Sequence, residues 1–153
     1  MKINAQDWNL HQIAPYIWRG QMEVGQLLAL AYAVKEEGGQ LQALWGSDDR
    51  HLGSGYAIHV AFHAAAGLAW VSVALAADAP HYPDLAHIFP QADRMQRATF
   101  DLLGIKAEGA IDARKWLRHG TWAADTYPLR KDFTSAPVRE LDAYPFIQVA
   151  GDG

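Results

Sequence analysis

The sequence contains no cysteine among its 153 residues. Disulfides, thiolate zinc sites and cysteine-ligated iron–sulfur or nickel–iron centres are therefore excluded within this chain. No run approaches the ~20 apolar residues of a membrane span, and the N-terminal residues lack the apolar core of a secretory signal. We expect a cytoplasmic domain without a redox centre of its own, and a peripheral place on a membrane complex stays open.

The sequence also lacks an excess of basic residues. Thirteen lysines and arginines stand against 17 aspartates and glutamates, which gives a formal net charge of −4. No long stretch is strongly basic, so we expect no nucleic-acid partner and look for a protein or small-molecule partner instead. Half of the residues are apolar and the length is that of one ordinary domain, so a single well-packed core is expected.

Apolar residues recur at helical spacing in two segments. Residues 22–35 carry one apolar face before Gly38-Gly39, and residues 95–103 carry a second one before Gly104. Between them, three short runs rich in Trp, Val, Ile and Tyr predict a β meander over 40–46, 55–63 and 68–76. This order predicts an α+β domain, a two-layer sandwich with a mixed sheet of about four strands and helices on one face.

The last third of the chain shows no regular period. Its residues are mixed and interrupted by Pro128, Pro137 and Pro145, which favours extended segments and loops. We therefore predict one domain over 1–153, with regular structure over about 1–104 and a long arm over about 105–153.

Three motifs in the second half are similar to those of one known family. Residues 96–105, Gln-Arg-Ala-Thr-Phe-Asp-Leu-Leu-Gly-Ile, resemble its Glu-Arg-Glu-x-x-Asp-Leu-x-Gly-Ile. Glu108-Gly109 with 112–117, Asp-Ala-Arg-Lys-Trp-Leu, resembles its Glu-Gly-His-Pro-Asp-x-Arg-Arg-x-Leu. Residues 128–133, Pro-Leu-Arg-Lys-Asp-Phe, resemble its Pro-Leu-Arg-Lys-Asp-aromatic ending. The family that these motifs resemble is the 30 kDa subunit of respiratory NADH dehydrogenase.

Departures from the family pattern favour a divergent branch. Gln96 and Ala98 stand where the family has glutamates, and Ala110-Ile111 replaces its His-Pro. Membrane-bound nickel–iron hydrogenases related to formate hydrogenlyase have a large subunit whose N-terminal domain is itself of the 30 kDa type. The chain is most similar to that N-terminal domain. Residues 144–153, Tyr-Pro-Phe-Ile-Gln-Val-Ala-Gly-Asp-Gly, resemble the junction into the catalytic domain, so we expect a longer protein of which this is the N-terminal domain.

The resemblance implies a non-catalytic scaffold that supports assembly and electron transfer between metal centres on neighbouring domains. Its partners would be the hydrogenase catalytic domain and the iron–sulfur subunits of a complex peripheral to the inner membrane, reached only through that complex. It would bind no cofactor itself. The alternative is a free-standing 30 kDa subunit of NADH:quinone oxidoreductase. A small hydrolase or ligand-binding enzyme is a further alternative, although no nucleophile, base and orienting group can be assembled by spacing.

Charged and aromatic residues of the second half predict a partner interface. Arg97 and Asp101 lie four apart on a helix, and an arm folded back on that helix would bring Arg130 and Asp132 into one charge network with them. Residues 114–119 combine Arg with Trp, the types enriched at interface hot spots. The predicted interface residues are Arg97, Asp101, Arg114, Lys115, Trp116, Arg118, Arg130, Lys131 and Asp132.

Two other groups invite a chemical interpretation. His59 and His63 would project from one strand face two pleats apart, but no ligand pattern accompanies them and structural roles are expected. Residues 48–51, Asp-Asp-Arg-His, could suggest acid–base catalysis, yet the following Gly-Ser-Gly is typical of a solvated turn. We therefore predict no catalytic, metal or cofactor-binding residue.

Overall fold

A five-stranded mixed sheet forms the centre of the domain. The computed structural model describes residues 5–119 and 122–134. The strands are β1 (Leu10–Ala14), β2 (Ile17–Met22), β3 (Gln40–Asp48), β4 (Tyr56–Ala64) and β5 (Gly67–Leu75), in the order β1-β2-β5-β4-β3. β2 and β5 run parallel and the other neighbours run antiparallel. The predicted mixed sheet is confirmed, with five strands in place of about four.

Two helices form the second layer. α1 (Val24–Glu36) connects β2 to β3, and α2 (Ala92–Leu103) follows β5. The remaining regular structure of the described residues comprises 3₁₀ turns at Ala5–Trp8 and Arg50–Leu52 and a small parallel sheet of β6 (His81–Pro83) and β7 (Lys106–Glu108). The predicted α+β class and two-layer arrangement are confirmed.

The core lies between the helices and one face of the sheet. Along β4, Tyr56, Ile58, Val60 and Phe62 alternate toward this side and are at most 1% exposed. The apolar helix residues and the threonine buried in this layer are Leu27, Leu30, Ala31, Val34, Thr99 and Leu103. At Gly46 on β3, an added Cβ would lie 2.7 Å from Ile105 and 2.8 Å from Leu103. The glycine therefore permits the close approach of α2 to the sheet.

The helix boundaries differ slightly from those predicted. The first helix begins at Val24 after a capping box, in which the Glu23 N–H donates to Gln26 Oε1 at 3.0 Å. Val24 was expected on the buried face but is 37% exposed, because it lies in the first turn. The predicted stop of the second helix at Gly104 is confirmed by its left-handed φ of 76°.

β1 and β2 were not predicted from the sequence. β1 buries only Leu10, and its other positions are exposed or half-buried, so the strand shows no clean alternation. A bulge between Gln12 and Ala14 further disrupts the period. The strand is stabilised by its pairing with β2, which in turn pairs with β5 about fifty residues later in the chain.

Gln96 is a buried polar residue that ties α2 to the connection after β6. Its Oε1 accepts the Leu85 N–H at 2.8 Å, and its Nε2 donates to Asp84 Oδ1 at 2.6 Å. The motif that this segment resembles has a glutamate at the same position. In this chain the amide is needed, because a carboxylate could not donate to Asp84.

Gln96→Glu should therefore destabilise the fold by about 2 kcal/mol at neutral pH, since a donor to a buried carboxylate becomes a second carboxylate. The deficit should shrink in mild acid, where the two carboxyls can share one proton. Urea denaturation at both pH values measures this, with Gln12→Glu at an exposed position of β1 as the control. Equal stability of Gln96→Glu and wild type at neutral pH would contradict the assignment.

Candidate partner interface

The arm comprises residues 109–134, which follow β7. Within 109–119 and 122–134 it contains turns and bends but no helix or strand. The predicted start near residue 105 is too early, because Ile105 is fully buried and Lys106–Glu108 pairs with β6. Residues 135–153 of the predicted arm lie outside the described part of the chain.

Asp101 anchors the first half of the arm to α2. The residue is fully buried, and its Oδ2 accepts the backbone N–H groups of Trp116 at 2.7 Å, Leu117 at 2.6 Å and Arg118 at 3.1 Å. Burial raises the pKa of the Asp101 carboxyl, but these N–H groups and the charge of Arg118 outweigh that effect and hold the pKa below its usual value. Asp101 is ionised at neutral pH and fixes the path of the backbone.

Arg118 lies beneath the same loop and is only 2% exposed. Its Nη1 donates to the carbonyls of Ala123 at 3.1 Å, Ala124 at 3.2 Å and Thr126, and its Nε lies 3.8 Å from Asp101 Oδ1. The arm therefore wraps around a buried cation. Asp101 and Arg118 were predicted as interface residues, but their side chains contact this chain, so they could affect a partner only by holding the arm in place.

A second anchor holds the end of the arm at the end of β3. Buried Asp48 accepts two hydrogen bonds from the Arg50 guanidinium, at 2.9 and 2.7 Å, and the backbone N–H groups of Arg50 at 3.2 Å and Lys131 at 2.9 Å. Arg50 also donates to both carboxylate oxygens of Asp132, at 3.2 and 2.8 Å. The hydrogen bonds from Arg50 hold the pKa of Asp48 well below its usual range, although burial opposes this.

The interpretation of residues 48–51 as a solvated turn is therefore wrong for Asp48 and Arg50. The turn exists, since Arg50–Leu52 is a 3₁₀ turn ending at Gly53. Asp48 and Arg50 nevertheless bind Lys131 and Asp132, more than eighty residues later in the chain. No local sequence pattern reveals this contact.

Arg130 braces the arm between the two anchors. Its Nε donates to the carbonyl of Leu103 at 2.7 Å, and its guanidinium lies 4.1 Å from the ring centre of Tyr127 and 5.4 Å from that of Tyr56. Gly104 leaves room for this contact, because a Cβ there would meet Arg130 and lie 2.9 Å from the Tyr127 ring. The predicted interface residue Arg130 is thus half-buried and stabilising, whereas Lys131 is exposed.

The predicted single charge network does not form. It was to join Arg97, Asp101, Arg130 and Asp132. Arg97 instead pairs with Asp93 at 3.3 Å and Asp112 at 3.1 Å, and its Nε donates to the carbonyl of Arg114 at 2.7 Å. The physical reason is that Asp101 is fully buried and directed at the backbone of 116–118 and at Arg118, whereas Arg97 binds Asp93, Asp112 and the loop backbone.

The three motif segments nevertheless meet in space. Asp101 of the first motif binds the backbone of 116–118, which includes the end of the second. The carbonyl of Leu103 in the first motif accepts from Arg130 in the third. The motifs therefore mark the segments that fold the arm onto α2.

The outward side of the arm carries apolar and basic side chains, which we call the arm surface. The exposed large apolar residues there are Ile111, Trp116, Leu117, Trp122 and Leu129. The Trp116 ring lies 4.9 Å from the guanidinium of Arg94 and 5.3 Å from that of Arg97. Arg114, Lys115 and Lys131 are also exposed and complete the surface. Exposed Trp beside Arg is the composition typical of binding hot spots.

The histidines of β4 are placed as predicted, and the ring of His59 is already hydrogen-bonded. His59 and His63 share the outward side of the strand, and the His59 ring nitrogens lie 3.0 and 2.8 Å from the hydroxyls of Ser47 and Ser72. Over 5–119 and 122–134, no three histidine or carboxylate side chains are grouped so as to hold a metal ion. No helix in the described part of the chain is long and apolar enough to span a membrane.

The hydrolase alternative gains little from these contacts. The Ser47 hydroxyl donates to Asp49 at 2.7 Å and also contacts the His59 ring. The serine therefore lies between the histidine and the carboxylate. A serine-type triad needs the carboxylate on the imidazole itself, where it orients the ring and stabilises its charge. The arrangement satisfies a half-buried histidine on a sheet surface.

Comparison with known proteins identifies the family. The family described as the respiratory-chain NADH dehydrogenase 30 kDa subunit matches residues 21–138. The chain therefore belongs to this family. The matched range includes α1, α2, both anchors and the described part of the arm.

The curated relatives are larger proteins. Formate hydrogenlyase subunit 5 of Escherichia coli K12 is 32% identical over 125 residues, which cover 76% of this chain and 22% of that protein. Hydrogenase-4 component G of the same organism is 30% identical over 124 residues, again covering 76% and 22%. The NADH-quinone oxidoreductase C/D protein of Rhodopseudomonas palustris BisB18 is 39% identical over 77 residues, covering 50% and 12%. The chain thus spans about a fifth or less of these relatives.

Two solved structures share the fold. A chain of the membrane-bound sulfane sulfur reductase, an archaeal respiratory membrane complex, superposes with a TM-score of 0.65 at 18% identity, covering 82% of this chain and 76% of that one. Nqo5, in a trypsin-resistant fragment, superposes with a TM-score of 0.59 at 16% identity, covering 71% and 91%. At these identities the likeness establishes the fold.

Proposed function

We propose that this chain is the scaffold domain of a formate hydrogenlyase-like nickel–iron hydrogenase large subunit, where it docks the catalytic domain and the iron–sulfur subunits. One observation carries the choice. The matches to two hydrogenase-type relatives cover 76% of the chain, whereas the match to the C/D protein of NADH-quinone oxidoreductase covers 50%. A free-standing 30 kDa subunit of NADH:quinone oxidoreductase is the alternative, with the same scaffold role.

In this complex the domain positions its partner subunits relative to one another. It has no cysteine, so electrons pass through centres held by neighbours. It carries no catalytic residue, binds no cofactor and lies at the cytoplasmic side of the inner membrane as the N-terminal part of a longer chain. The arm surface is the docking site, because Asp48 and Asp101 hold an otherwise irregular segment in one conformation and thereby reduce the entropy lost on binding.

Metal content of the native complex tests this function. The tagged chain is isolated from its own organism by affinity and size-exclusion chromatography, and nickel and iron are measured against protein. We expect both metals in a constant ratio to the chain. A complex that contains iron but no nickel and oxidises NADH would contradict the hydrogenase assignment and support the NADH:quinone oxidoreductase alternative. A chain that elutes without metal-bearing partners would contradict the scaffold role.

Trp116→Ala tests the arm surface within that complex. Loss of an aromatic hot spot costs about 2 kcal/mol, roughly a thirty-fold loss of affinity. The backbone N–H of residue 116 still reaches Asp101, and a surface cation–π contact is worth only about 0.5–1 kcal/mol, so folding should change little. The retained fraction of partner subunits after washing measures the effect.

The matched control for this experiment is Tyr32→Ala. Tyr32 is a similarly exposed aromatic residue on α1, 48% exposed against 38% for Trp116. We expect it to leave assembly unchanged. Equal loss from both variants, or no loss from Trp116→Ala, would show that the arm surface is not the docking site.

A further inference from the structure

A band of aromatic and basic side chains crosses the face of the sheet opposite the helices. Trp45 on β3 stacks on His59 of β4, with ring centres 5.3 Å apart at 24°, and lies 5.8 Å from Trp70 on β5. The guanidinium of Arg19 on β2 lies 4.6 Å from the Trp70 ring centre. These four strands are consecutive neighbours, so Trp45, His59, Trp70 and Arg19 form one continuous band.

This face is open to solvent. Trp45 is 39% exposed, and Arg19, Gln21, His63 and Ala74 around it are exposed as well. The residues between the large rings are small, so the rings stand above the backbone. The small outward residues are Ala57, Ala61, Ala74, Ser47 and Ser72.

No strand position on this face is acidic in a chain whose net charge is −4, and Asp49, which accepts from Ser47 at 2.7 Å, lies at its rim. The strand register gives its outward positions, all within the described residues. They are His11, Ile17, Arg19, Gln21, Gln40, Ala43, Trp45, Ser47, Ala57, His59, Ala61, His63, Leu68, Trp70, Ser72 and Ala74. Burial lowers the pKa of His59; Asp49 at the rim opposes this and Arg19 adds to it, so Arg19 is the fixed charge of the band.

One buried hydrogen-bond donor in the band lacks an acceptor, and a cation lies beside it. The indole Nε1 of Trp70 is buried without an acceptor in the described part of the chain. Arg19 is exposed, its guanidinium lies over the Trp70 ring, and among the described residues it is in no ion pair. Buried donors in native proteins are normally paired, so the Trp70 indole indicates a missing acceptor, and the exposed Arg19 charge beside it favours an anionic one.

We propose that this band is a second partner surface that binds an acidic segment of a neighbouring subunit. A carboxylate of that segment pairs with Arg19 and accepts from the Trp70 indole once the guanidinium moves off the ring. An apolar side chain beside the carboxylate packs on Trp45. The proposal rests on the proposed function only in assigning the occupant to a subunit of the same complex, and it is independent of the arm surface.

Charge decides against a nucleic-acid occupant. Sheet faces with aromatic residues bind single strands by stacking, but they do so within a strongly basic groove that neutralises the phosphates. One arginine on a net acidic chain does not supply such a groove. The same single arginine, with an unpaired indole N–H beside it, fits one carboxylate.

Site-specific photo-cross-linking in the assembled complex identifies the occupant. A photoreactive residue replaces His63 or Gln21, both exposed at the margins of the band, and the cross-linked partner segment is sequenced by mass spectrometry. We expect one partner segment rich in Asp and Glu. A cross-link to a segment without carboxylates, to lipid, to nucleic acid or to a second copy of this chain would overturn the proposal, as would no cross-link at all.

Charge reversal tests the contact itself. Arg19→Glu should reduce the fraction of partner retained at low salt at least about tenfold, and wild-type retention should fall as salt is raised from about 0.1 to 1 M, where the screening length drops from about 10 to 3 Å. Lys35→Glu on α1 makes the same charge change away from the band and should have no effect. Reversing the cross-linked carboxylate to Arg should restore the Arg19→Glu complex.

The outcomes separate this proposal from the others. If Arg19→Glu reduces partner retention and Trp116→Ala does not, the band is supported as a partner surface and the arm surface is rejected. A complex without nickel rejects only the hydrogenase assignment. Equal retention of Arg19→Glu and wild type rejects the band. If Arg19→Glu fails to fold, the wild-type cross-link and Arg19→Gln decide the question.

Discussion

Replacing Asp101 with alanine should lower the free energy of unfolding by about 3–5 kcal/mol, the range for removing one partner of a buried charged pair. The substitution leaves three backbone N–H groups of the arm without an acceptor and isolates the buried cation of Arg118. A loss of this size should lower the melting temperature by roughly 6–20 °C in a domain of this length.

Two further variants make the Asp101 test specific. Asp101→Asn keeps the shape and one acceptor but removes the charge facing Arg118, so its melting temperature should lie between those of Asp101→Ala and wild type. Asp93→Ala on the same helix removes a surface pair with Arg97, which is worth about 0–1 kcal/mol. If Asp101→Ala lowers the melting temperature no more than Asp93→Ala does, Asp101 does not anchor the arm.

Asp48→Ala should cost about 3 kcal/mol, because charged hydrogen bonds from Arg50 and the N–H of Lys131 are lost together. The second consequence is local. The end of the arm loses its attachment to β3, so hydrogen exchange of backbone amides near Lys131 should accelerate more than that of β4. Uniform acceleration across the domain would show that Asp48 supports the core and does not hold the arm specifically.

The low pKa values of Asp48 and Asp101 give this stabilisation a defined pH dependence. Both carboxyls have a pKa in the folded chain below that of the unfolded chain, about 3.9. Their contribution is therefore fully present above about pH 4 and is lost as the pH falls through the lower folded values. Asp48→Asn should flatten the acid limb of a plot of unfolding free energy against pH, and an unchanged limb would contradict the assignment.

Much of the fold was predictable because its central elements have strong local patterns. The alternation of Tyr56, Ile58, Val60 and Phe62 places β4 in a sheet with one buried face, and Gly104 ends α2 by its backbone preference. β1 could not be found in this way, since one buried residue, Leu10, gives no period and the strand depends on pairing with β2.

The candidate site was predictable in part. The motif resemblance identified the three segments that converge on α2, and residue type identified Trp116 as a candidate hot spot. The sequence does not show which charged residues are buried, so Asp101 and Arg118 were expected at the surface. The contact of Asp48 with Lys131 joins residues 83 positions apart, and its donor is a backbone N–H that no side-chain pattern records.

The arm surface as docking site is tested most directly by hydroxyl-radical footprinting of the intact native complex. Trp116 and Trp122 are 38% and 41% exposed in the chain itself, and Tyr32 at 48% and Tyr16 at 75% serve as internal references. We predict that both arm tryptophans are strongly protected from oxidation in the complex while both tyrosines react freely. Oxidation of Trp116 and Trp122 at the rates expected from their exposure, in a complex that stays assembled, would contradict the account.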